Sequence, residues 1–308
     1  MIKIFLLGQF SVTGKGGRCA DLHTRRGTEL FTFLVLESGR TFHRARLAEQ
    51  FWGHLPETRG RKALNTELWR ITAALRAIGM DVATSLVRTQ HEVGYARQPD
   101  HEVDVDHLNT AADIVAAEDP EAVSAANLER IERAVEAYRG DLLESVYSDW
   151  CLLWRESLRA NFTEALEFLL LAAMGRQDWA SGLRHGRTLL ALDPLLEHVH
   201  RALMRCHYHA GNRPLALRQY AHCEQILREE LGVAPMDETR RIQETLLAVT
   251  PRPSRAVEQR VVEAPPRQDG ARRSPAQKVD LALANINTAR GWLEDVSQQL
   301  RGGPSKPA

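Results

Sequence analysis

Long apolar runs are scarce in this 308-residue chain, and their scarcity argues against a membrane-spanning helix. The longest run, around residues 168–174, is far shorter than the roughly 20 residues needed to cross a bilayer. The N-terminal "MIKIFLLGQFSV" interrupts its apolar residues with polar ones and lacks a small-residue cleavage site, which predicts a strand rather than a signal peptide. We therefore expect a cytoplasmic protein with no membrane partner.

Cysteine is also rare, and its spacing excludes a disulfide framework. The four cysteines show no CxxC pattern: they are Cys19, Cys151, Cys206 and Cys223. Histidines and cysteines do cluster between residues 198 and 223. However, His198 and His200 are two residues apart and would point to different sides of a helix, whereas zinc sites on helices favour a spacing of four. We predict no metal site and expect these histidines to lie on helix surfaces.

Catalytic and nucleotide-binding signatures are missing as well. The chain contains no GxxxxGK[ST], GxGxxG, GxSxG or HExxH motif. The paired acids Asp104 and Asp106 stand in "VDVDHL", which we interpret as an extended segment without a neighbouring base. We therefore expect neither an enzyme nor a cofactor.

The formal net charge of zero hides an uneven distribution along the chain. Residues 1–98 carry a net charge of +7, residues 99–249 carry −11, and residues 250–308 carry +4. A basic module joined to an acidic one indicates that the first module meets a polyanion. The alternative is a chance distribution of solvated charges.

Residues 1–98 follow an order of elements typical of a winged helix-turn-helix. Alternating apolar residues from Ile2 to Val12 predict a short antiparallel sheet. Three amphipathic helices are predicted at about 25–37, 43–52 and 58–78, and a glycine follows each of them. "TSLVRT" and "VGYARQ", around the turn "QHE", then predict a β-hairpin in which Gly94 supplies backbone freedom. In a winged helix the third helix enters the major groove of DNA.

Four stretches make this resemblance specific. "RRGTELFTFLVLESGR", "RLAEQFW", "ALNTELWRITAAL" and "VGY" resemble the OmpR-type winged helix found at the N-terminus of the Streptomyces antibiotic regulatory protein (SARP) family. The family often has a Leu-Arg pair where this chain has Ile71-Thr72, so one of its basic contacts is missing. The resemblance also implies that the loop of residues 53–57, between the second and third helices, contacts RNA polymerase.

The third helix, "RKALNTELWRITAALRAIG", has one predicted buried face and one polar face. Asn65, Thr66 and Arg70 are predicted to read bases, since these side chains suit adenine, a thymine methyl and guanine. Nearby basic residues suit phosphates. Trp69 fits either packing against a neighbouring helix, which the pattern favours, or DNA contact. An ordinary solvated face is the alternative for the whole set. The predicted DNA-binding residues are His43, Arg44, Arg59, Arg61, Lys62, Asn65, Thr66, Trp69, Arg70, Arg88, Gln90 and His91.

Residues 99–249 have an almost purely helical pattern. Two stretches that begin at Gly175 and Gly211 repeat with a period of 36 residues, and each has an alanine five residues later, at Ala180 and Ala216. They resemble the tetratricopeptide repeat, whose helix pairs bury small residues. Together with "VDVD", "YRGDLL" and "REELGVAP", the segment resembles the bacterial transcriptional activator domain that follows the winged helix in the SARP family.

The remaining residues divide into two segments. Residues 250–274 are rich in Pro and Arg and predict a flexible linker. Residues 275–301 predict an amphipathic helix with a heptad pattern of apolar residues. We interpret this helix as an association element or, alternatively, as a helix that docks on the repeat domain. Its seam includes Val279, Ile286, Leu293, Val296 and Leu300.

The sequence therefore predicts a mainly α protein, in which an α+β winged helix precedes an all-α tetratricopeptide-like domain. The resemblance implies a sequence-specific transcription activator that binds repeats in promoter DNA and contacts RNA polymerase. It also implies a homodimer, or one that forms only on DNA. Two alternatives stay open. One is a ligand-sensing regulator, and the other is a tetratricopeptide scaffold whose basic N-terminal domain binds a protein or a membrane surface.

Overall fold

A computed structural model of the chain describes residues 1–248. These residues belong to a unit that spans Met1–Thr250. Within it, a part built from strands and helices precedes a part built from helices, which confirms the predicted fold class. The predicted linker at 250–274 and the predicted helix at 275–301, with its heptad seam, lie outside the described residues.

The N-terminal part contains two three-stranded sheets among the described residues. Its strands are β1 (Ile2–Phe5), β2 (Ser11–Thr13), β3 (Thr41–His43), β4 (Leu86–Arg88), β5 (Glu92–Tyr95) and β6 (His101–Val103). Its helices are α1 (Arg25–Leu36), α2 (Arg44–Trp52), α3 (Glu57–Ala77) and α4 (Val82–Ser85). The three predicted helices and the predicted hairpin are confirmed. The short elements β3, β6 and α4 were absent from the prediction.

The two sheets differ in the direction of their third strand. The first sheet has the order β2-β1-β6, in which β1 is antiparallel to β2 and parallel to β6, with Ile2 opposite His101. The second has the order β3-β5-β4 and is antiparallel throughout. Because β6 follows residue 98, the segment that leads into the helical part also completes the N-terminal sheet.

Gly94 has a different role from the predicted one. Its φ does not lie in the left-handed region that favours glycine. Instead, a Cβ atom at this position in β5 would lie 2.4 Å from the carbonyl oxygen of Arg40. Glycine is needed because another stretch of backbone passes close to the strand, and not because the chain turns there.

The helical part consists of seven helices within the described residues. They are α5 (Asp104–Ala117), α6 (Ala125–Ala137), α7 (Asp149–Gly175), α8 (Trp179–Leu192), α9 (Glu197–His209), α10 (Arg213–Leu231) and α11 (Asp237–Ala248). Consecutive helices from α7 to α10 pack on one another, as expected of helical repeats. None of the helices in the described residues has the length and hydropathy that a transmembrane span requires.

The repeats have a different register from the predicted one. Gln177 and Gly211 follow α7 and α9 in the left-handed conformation, with φ of 59° and 79°. The next helices, α8 and α10, each begin two residues later, at Trp179 and Arg213. The period is therefore 34 residues, the usual length of a tetratricopeptide repeat. The predicted period of 36 is wrong because it pairs Gly211 with Gly175, which is still inside α7.

The corrected register also changes which small residues of the two repeats correspond to each other. Ala216 is fully buried, as predicted, but Ala180 is exposed. In the corrected register Gly182 is the counterpart of Ala216. A Cβ atom on Gly182 would lie 3.0 Å from Sγ of Cys206. The close contact between α8 and α9 therefore requires a small residue at position 182.

Asp104 is a buried structural residue and not part of an extended segment. It is the first residue of α5 and is only 3% exposed. Its carboxylate accepts hydrogen bonds from the backbone N–H groups of Leu6 and Leu7, at 2.8 and 2.9 Å. It also accepts one from Val105. In "VDVD", Val103 is the last residue of β6 and Asp104 is the first residue of α5, so the alternation does not continue as a strand.

The segment of residues 139–146, which contains "RGDLLES", joins the two parts. Leu142 forms an isolated β-bridge with Leu7, and Arg25 of α1 donates to the carbonyl oxygen of Ser145. From α7, Trp150 packs edge-on against Phe33 of α1, with ring centroids 5.4 Å apart. These contacts cover part of α1, whose buried residues include the consecutive run 29–35 and so lie on more than the one predicted side.

The histidine cluster contains buried members, so the prediction that all of these histidines lie on helix surfaces is wrong. His200 and His207 are 1% and 6% exposed. Their positions on α9 face α8 and α10 in the repeat, and His200 has hydrogen-bond contacts with Pro194 and Gln219. Among the described residues, no three potential ligands converge on a metal position.

Burial of histidines makes the stability of the helical part sensitive to acid. Burial and the charge of Arg184 lower the pKa of His185 to about 4, and burial also lowers the pKa of His200 and His207. Because the pKa of these histidines in the folded state lies below the unfolded value near 6.5, the stability of the fold has its full value above that pH. Part of it is lost as the pH falls towards about 4.

Between pH 6.5 and 4.5, the free energy of unfolding of His185→Leu should fall by about 1–3 kcal/mol less than that of the native chain. Chemical denaturation of the full chain at a series of pH values measures this difference. Substitution of the exposed His54 by Gln is the control and should leave the pH dependence unchanged. Equal pH dependence in the native chain and in His185→Leu would contradict the assignment.

Candidate nucleic-acid interface

The third helix, α3, presents a continuous exposed stripe opposite its buried face. Leu64, Leu68, Ile71 and Leu75 are fully buried, as predicted. The exposed residues recur at spacings of three and four on the other side: they are Lys62, Asn65, Thr66, Trp69, Ala73 and Arg76. Ala73 and Arg76 were missing from the predicted set. The helical period alone could have found them, because they continue the same stripe by two turns.

Arg44 connects α3 to both neighbouring elements. One guanidinium nitrogen donates to Oδ1 of Asn65 at 2.6 Å. The other terminal nitrogen donates to the carbonyl oxygen of Thr89 at 3.1 Å, in the turn of the β4–β5 hairpin. The side chain therefore fixes the hairpin and Asn65 relative to α2.

A cavity of about 200 Å³ lies where these three elements meet. Six of the predicted DNA-binding residues line it: His43, Arg44, Arg61, Asn65, Gln90 and His91. The structure thus brings together residues from the start of α2, from α3 and from the hairpin tip. They are separated by up to 48 positions in the chain.

The first two amides of α2 form hydrogen bonds within the protein. The N–H group of Arg44 donates to the carbonyl oxygen of His91, and that of Ala45 donates to Nδ1 of His43. These two N–H groups are therefore already hydrogen-bonded within the protein and are not available to a phosphate. The imidazole rings of His43 and His91 stack above them, with centroids 6.2 Å apart and an interplanar angle of 13°.

Positive charge around the cavity is only partly neutralised. Among the described residues, Arg44, Arg59, Lys62 and Arg88 make no ion pair with a carboxylate. Burial and the nearby charge of Arg88 lower the pKa of Arg44 below its usual range, although the group stays protonated at neutral pH. Two guanidinium groups held near each other without an acidic partner favour the approach of an anion.

Two of the predicted residues already have acidic partners. Arg61 pairs with Glu57 at 2.5 Å, and Arg70 pairs with Glu67 at 2.7 Å. Glu67 is buried and also accepts a hydrogen bond from Thr24. Glu67 therefore ties α3 to Thr24 at the start of α1, and Arg70, which pairs with Glu67, lies beside the exposed stripe rather than in its centre.

Thr72 faces the hairpin and not solvent. It is 5% exposed, and its hydroxyl donates to the carbonyl oxygen of Leu68. The same hydroxyl oxygen accepts a hydrogen bond from Arg88 at 2.6 Å. Arg88, from β4, therefore holds a guanidinium group beside the position where the family often has arginine.

The packing interpretation of Trp69 is wrong. Its side chain is 67% exposed. The residues one turn away, Asn65 and Ala73, are also exposed, so no element of the described chain covers this side of α3. An amphipathic pattern cannot reveal this, because exposure depends on whether another element lies opposite.

Comparison with known proteins agrees with this architecture. Residues 100–247 match the family model of the bacterial transcriptional activator domain. The regulatory protein AfsR of Streptomyces coelicolor is 28% identical over 226 residues, which cover 72% of this chain and 22% of AfsR. The regulatory protein DnrI of Streptomyces peucetius is 26% identical over 266 residues, which cover 81% of this chain and 93% of DnrI. The chain thus spans about a fifth of the length of AfsR.

A solved structure resembles the fold. It is Mycobacterium tuberculosis EmbR in complex with a low-affinity phosphopeptide, with a TM-score of 0.64 and 17% sequence identity. The match covers 80% of this chain and 65% of the EmbR chain. At this level of identity the likeness concerns the fold alone.

Residues 100–247 therefore carry a bacterial transcriptional activator domain, and a winged-helix part precedes it. In this order of parts the chain is similar to SARP-type regulators, in which an OmpR-type winged helix is followed by a bacterial transcriptional activator domain.

Proposed function

We propose that this chain is a transcription regulator that binds specific DNA sequences by inserting the exposed stripe of α3 into the major groove. The observation that carries the proposal is the meeting of α3, the start of α2 and the hairpin tip around unneutralised guanidinium groups. A major groove about 12 Å wide admits one helix, and flanking elements then reach the phosphates.

The residues divide by chemistry into two groups. Asn65 and Thr66 lie on the exposed stripe and carry groups that can pair with adenine and touch a thymine methyl. The cations and histidines around them contribute affinity through phosphates and the neighbouring groove. This second group consists of His43, Arg44, Arg59, Arg61, Lys62, Arg70, Arg88, Gln90 and His91.

Activation would use surfaces outside α3. The loop between α2 and α3 is exposed at Gly53, His54 and Pro56 and is available to RNA polymerase. The resemblance to the SARP family supports this contact, together with assembly of two copies side by side on promoter repeats. The helical part, with its negative net charge, would stay away from the DNA.

A salt titration tests the proposal. DNA selected by the full chain from random duplexes should bind more tightly than a scrambled duplex. If about four cations contact phosphates, the logarithm of the affinity should fall with a slope near −3.6 against the logarithm of the salt concentration. Lys62→Ala should lower this slope by about one and leave the sequence preference intact. Asn65→Ala should weaken the preference at one base pair without changing the slope.

Two results would count against the proposal. One is equal binding to selected and scrambled duplexes, which is what a scaffold with a basic surface would give. The other is an unchanged sequence preference in both Asn65→Ala and Thr66→Ala, since α3 would then not be the reading element.

A further inference from the structure

Trp69 occupies the centre of the exposed stripe on α3, between Asn65 and Ala73. Its side chain is 67% exposed, an unusual state for the largest apolar side chain. In the part of the chain that the structure describes, its indole has no aromatic partner, no stacked cation and no hydrogen-bond acceptor. Packing and internal bonding therefore do not account for a tryptophan at this position.

The neighbours of Trp69 on the stripe have shorter side chains. Asn65 and Thr66 precede it by one turn, and Ala73 follows it by one turn. The indole is the bulkiest group on this face, so a surface that approaches the centre of α3 meets the ring early. The ring therefore contributes strongly to the affinity of α3 for its partner, because aromatic rings bury 150–250 Å² each.

The charges along the same stripe indicate which kind of partner fits. Lys62 and Arg76 lie seven residues before and after Trp69, which places a cation roughly 10 Å along the helix on either side. Neither cation has a carboxylate partner among the described residues, and the stripe itself contains no acidic residue. An apolar ring between two free cations suits a polyanion that also exposes apolar groups.

We propose that the indole of Trp69 packs against the 5-methyl group of a thymine in the major groove and so sets the base preference at one position of the site. The inference rests on the DNA-binding function proposed above. Thymine is the base that presents a methyl group in the major groove, and apolar side chains recognise it by contact. Trp69 is then a specificity-determining residue in addition to Asn65 and Thr66.

The test removes single methyl groups from the DNA. In the selected duplex, each thymine is replaced in turn by deoxyuracil, which differs only by the missing 5-methyl group. The native chain should bind the duplex that lacks the methyl group facing Trp69 about three- to fivefold more weakly, the effect of losing one buried methyl group. Trp69→Ala should bind the thymine and uracil forms of that duplex equally well. It should keep the penalties at all other positions.

Two further variants make the result specific. Trp69→Phe keeps an aromatic ring and should retain part of the thymine preference. Tyr147→Ala removes an equally exposed aromatic ring, 77% exposed, from the helical part and should bind every duplex like the native chain. Thermal unfolding of each variant checks that the fold is intact, as expected for changes at exposed positions.

Three outcomes would overturn the inference. The first is an undiminished uracil penalty in Trp69→Ala at every position. The second is native binding that is insensitive to every thymine methyl. The third is loss of affinity in Trp69→Ala by the same factor for all duplexes, which would indicate a contact without base preference. If the native chain showed no preference for its selected duplex, the proposed function itself would fail first.

Discussion

Arg44→Ala is expected to lower the affinity of the full chain for its selected DNA by about 10- to 100-fold, the range for losing charge-assisted hydrogen bonds. The loss has two sources. A guanidinium group that borders the cavity is removed, and the bonds that hold Asn65 and the turn at Thr89 are broken. Sequence preference at the Asn65 base pair should weaken together with affinity. Fluorescence anisotropy with selected and scrambled duplexes measures both quantities.

Two variants separate position from charge. Lys3→Ala also removes one positive charge, but Lys3 lies in β1 and pairs with Glu102 in β6. It should change the affinity by less than about threefold at physiological salt. Arg44→Lys keeps the charge but replaces the planar fork of donors with a single ammonium group, so an intermediate affinity is expected. Equal affinities for Arg44→Ala and Lys3→Ala would contradict the role assigned to Arg44.

Arg155→Met is expected to lower the free energy of unfolding by about 3 kcal/mol. Arg155 is 8% exposed and donates to the carbonyl oxygens of Leu142, Leu143 and Val146, at 2.6–2.9 Å. Methionine has a similar length but cannot donate, so it leaves three carbonyl groups without this partner. Denaturant unfolding of the full chain measures the change.

The effect of Arg155→Met should extend to the contact between the two parts. The segment that Arg155 holds is the one that bridges to Leu7 and receives the hydrogen bond from Arg25. Hydrogen exchange at α1 should therefore accelerate in this variant. Arg159→Met is the control one turn away, because Arg159 is half exposed and pairs with Asp141. Its expected cost is below about 1 kcal/mol. Unfolding of both variants at the same denaturant concentration would contradict this assignment.

Much of the fold follows from local sequence patterns. The helices α1, α2 and α3 have strong 3.6-residue periodicity and glycines after their last turns, and both features act locally. The strands β3 and β6 have only three residues each, and they form because β5 and β1 lie beside them. The equally short strands β2 and β4 pair with strands next to them in sequence, whereas β3 and β6 pair with distant strands, so local patterns could not predict them.

The buried polar residues of α3 also show that tertiary contacts limit what the sequence can predict. Glu67 and Thr72 are polar residues of α3, yet both are buried. Glu67 accepts hydrogen bonds from Thr24 and Arg70, and Thr72 accepts one from Arg88. Their partners come from α1 and from the hairpin, so their burial is decided by tertiary structure. A helical projection could identify the stripe but could not tell its edges from its centre.

The candidate site was predictable as a set of residue types but not as an arrangement. Basic and amide residues near the start of α2 and α3 mark the surface. The bond from Arg44 to Asn65, and the stacking of His43 on His91, arise only when three distant segments meet. The exposure of Trp69 likewise depends on the absence of an element over α3 within the described residues.

The central claim is that the exposed stripe of α3 reads DNA sequence. Binding-site selection from random duplexes, performed in parallel with the native chain and with the double variant Asn65→Ala/Thr66→Ala, tests it most directly. We predict that the native chain yields a defined motif, and that the motif of the variant loses preference at a few neighbouring positions while the rest is retained. Identical motifs from the two proteins would contradict the account.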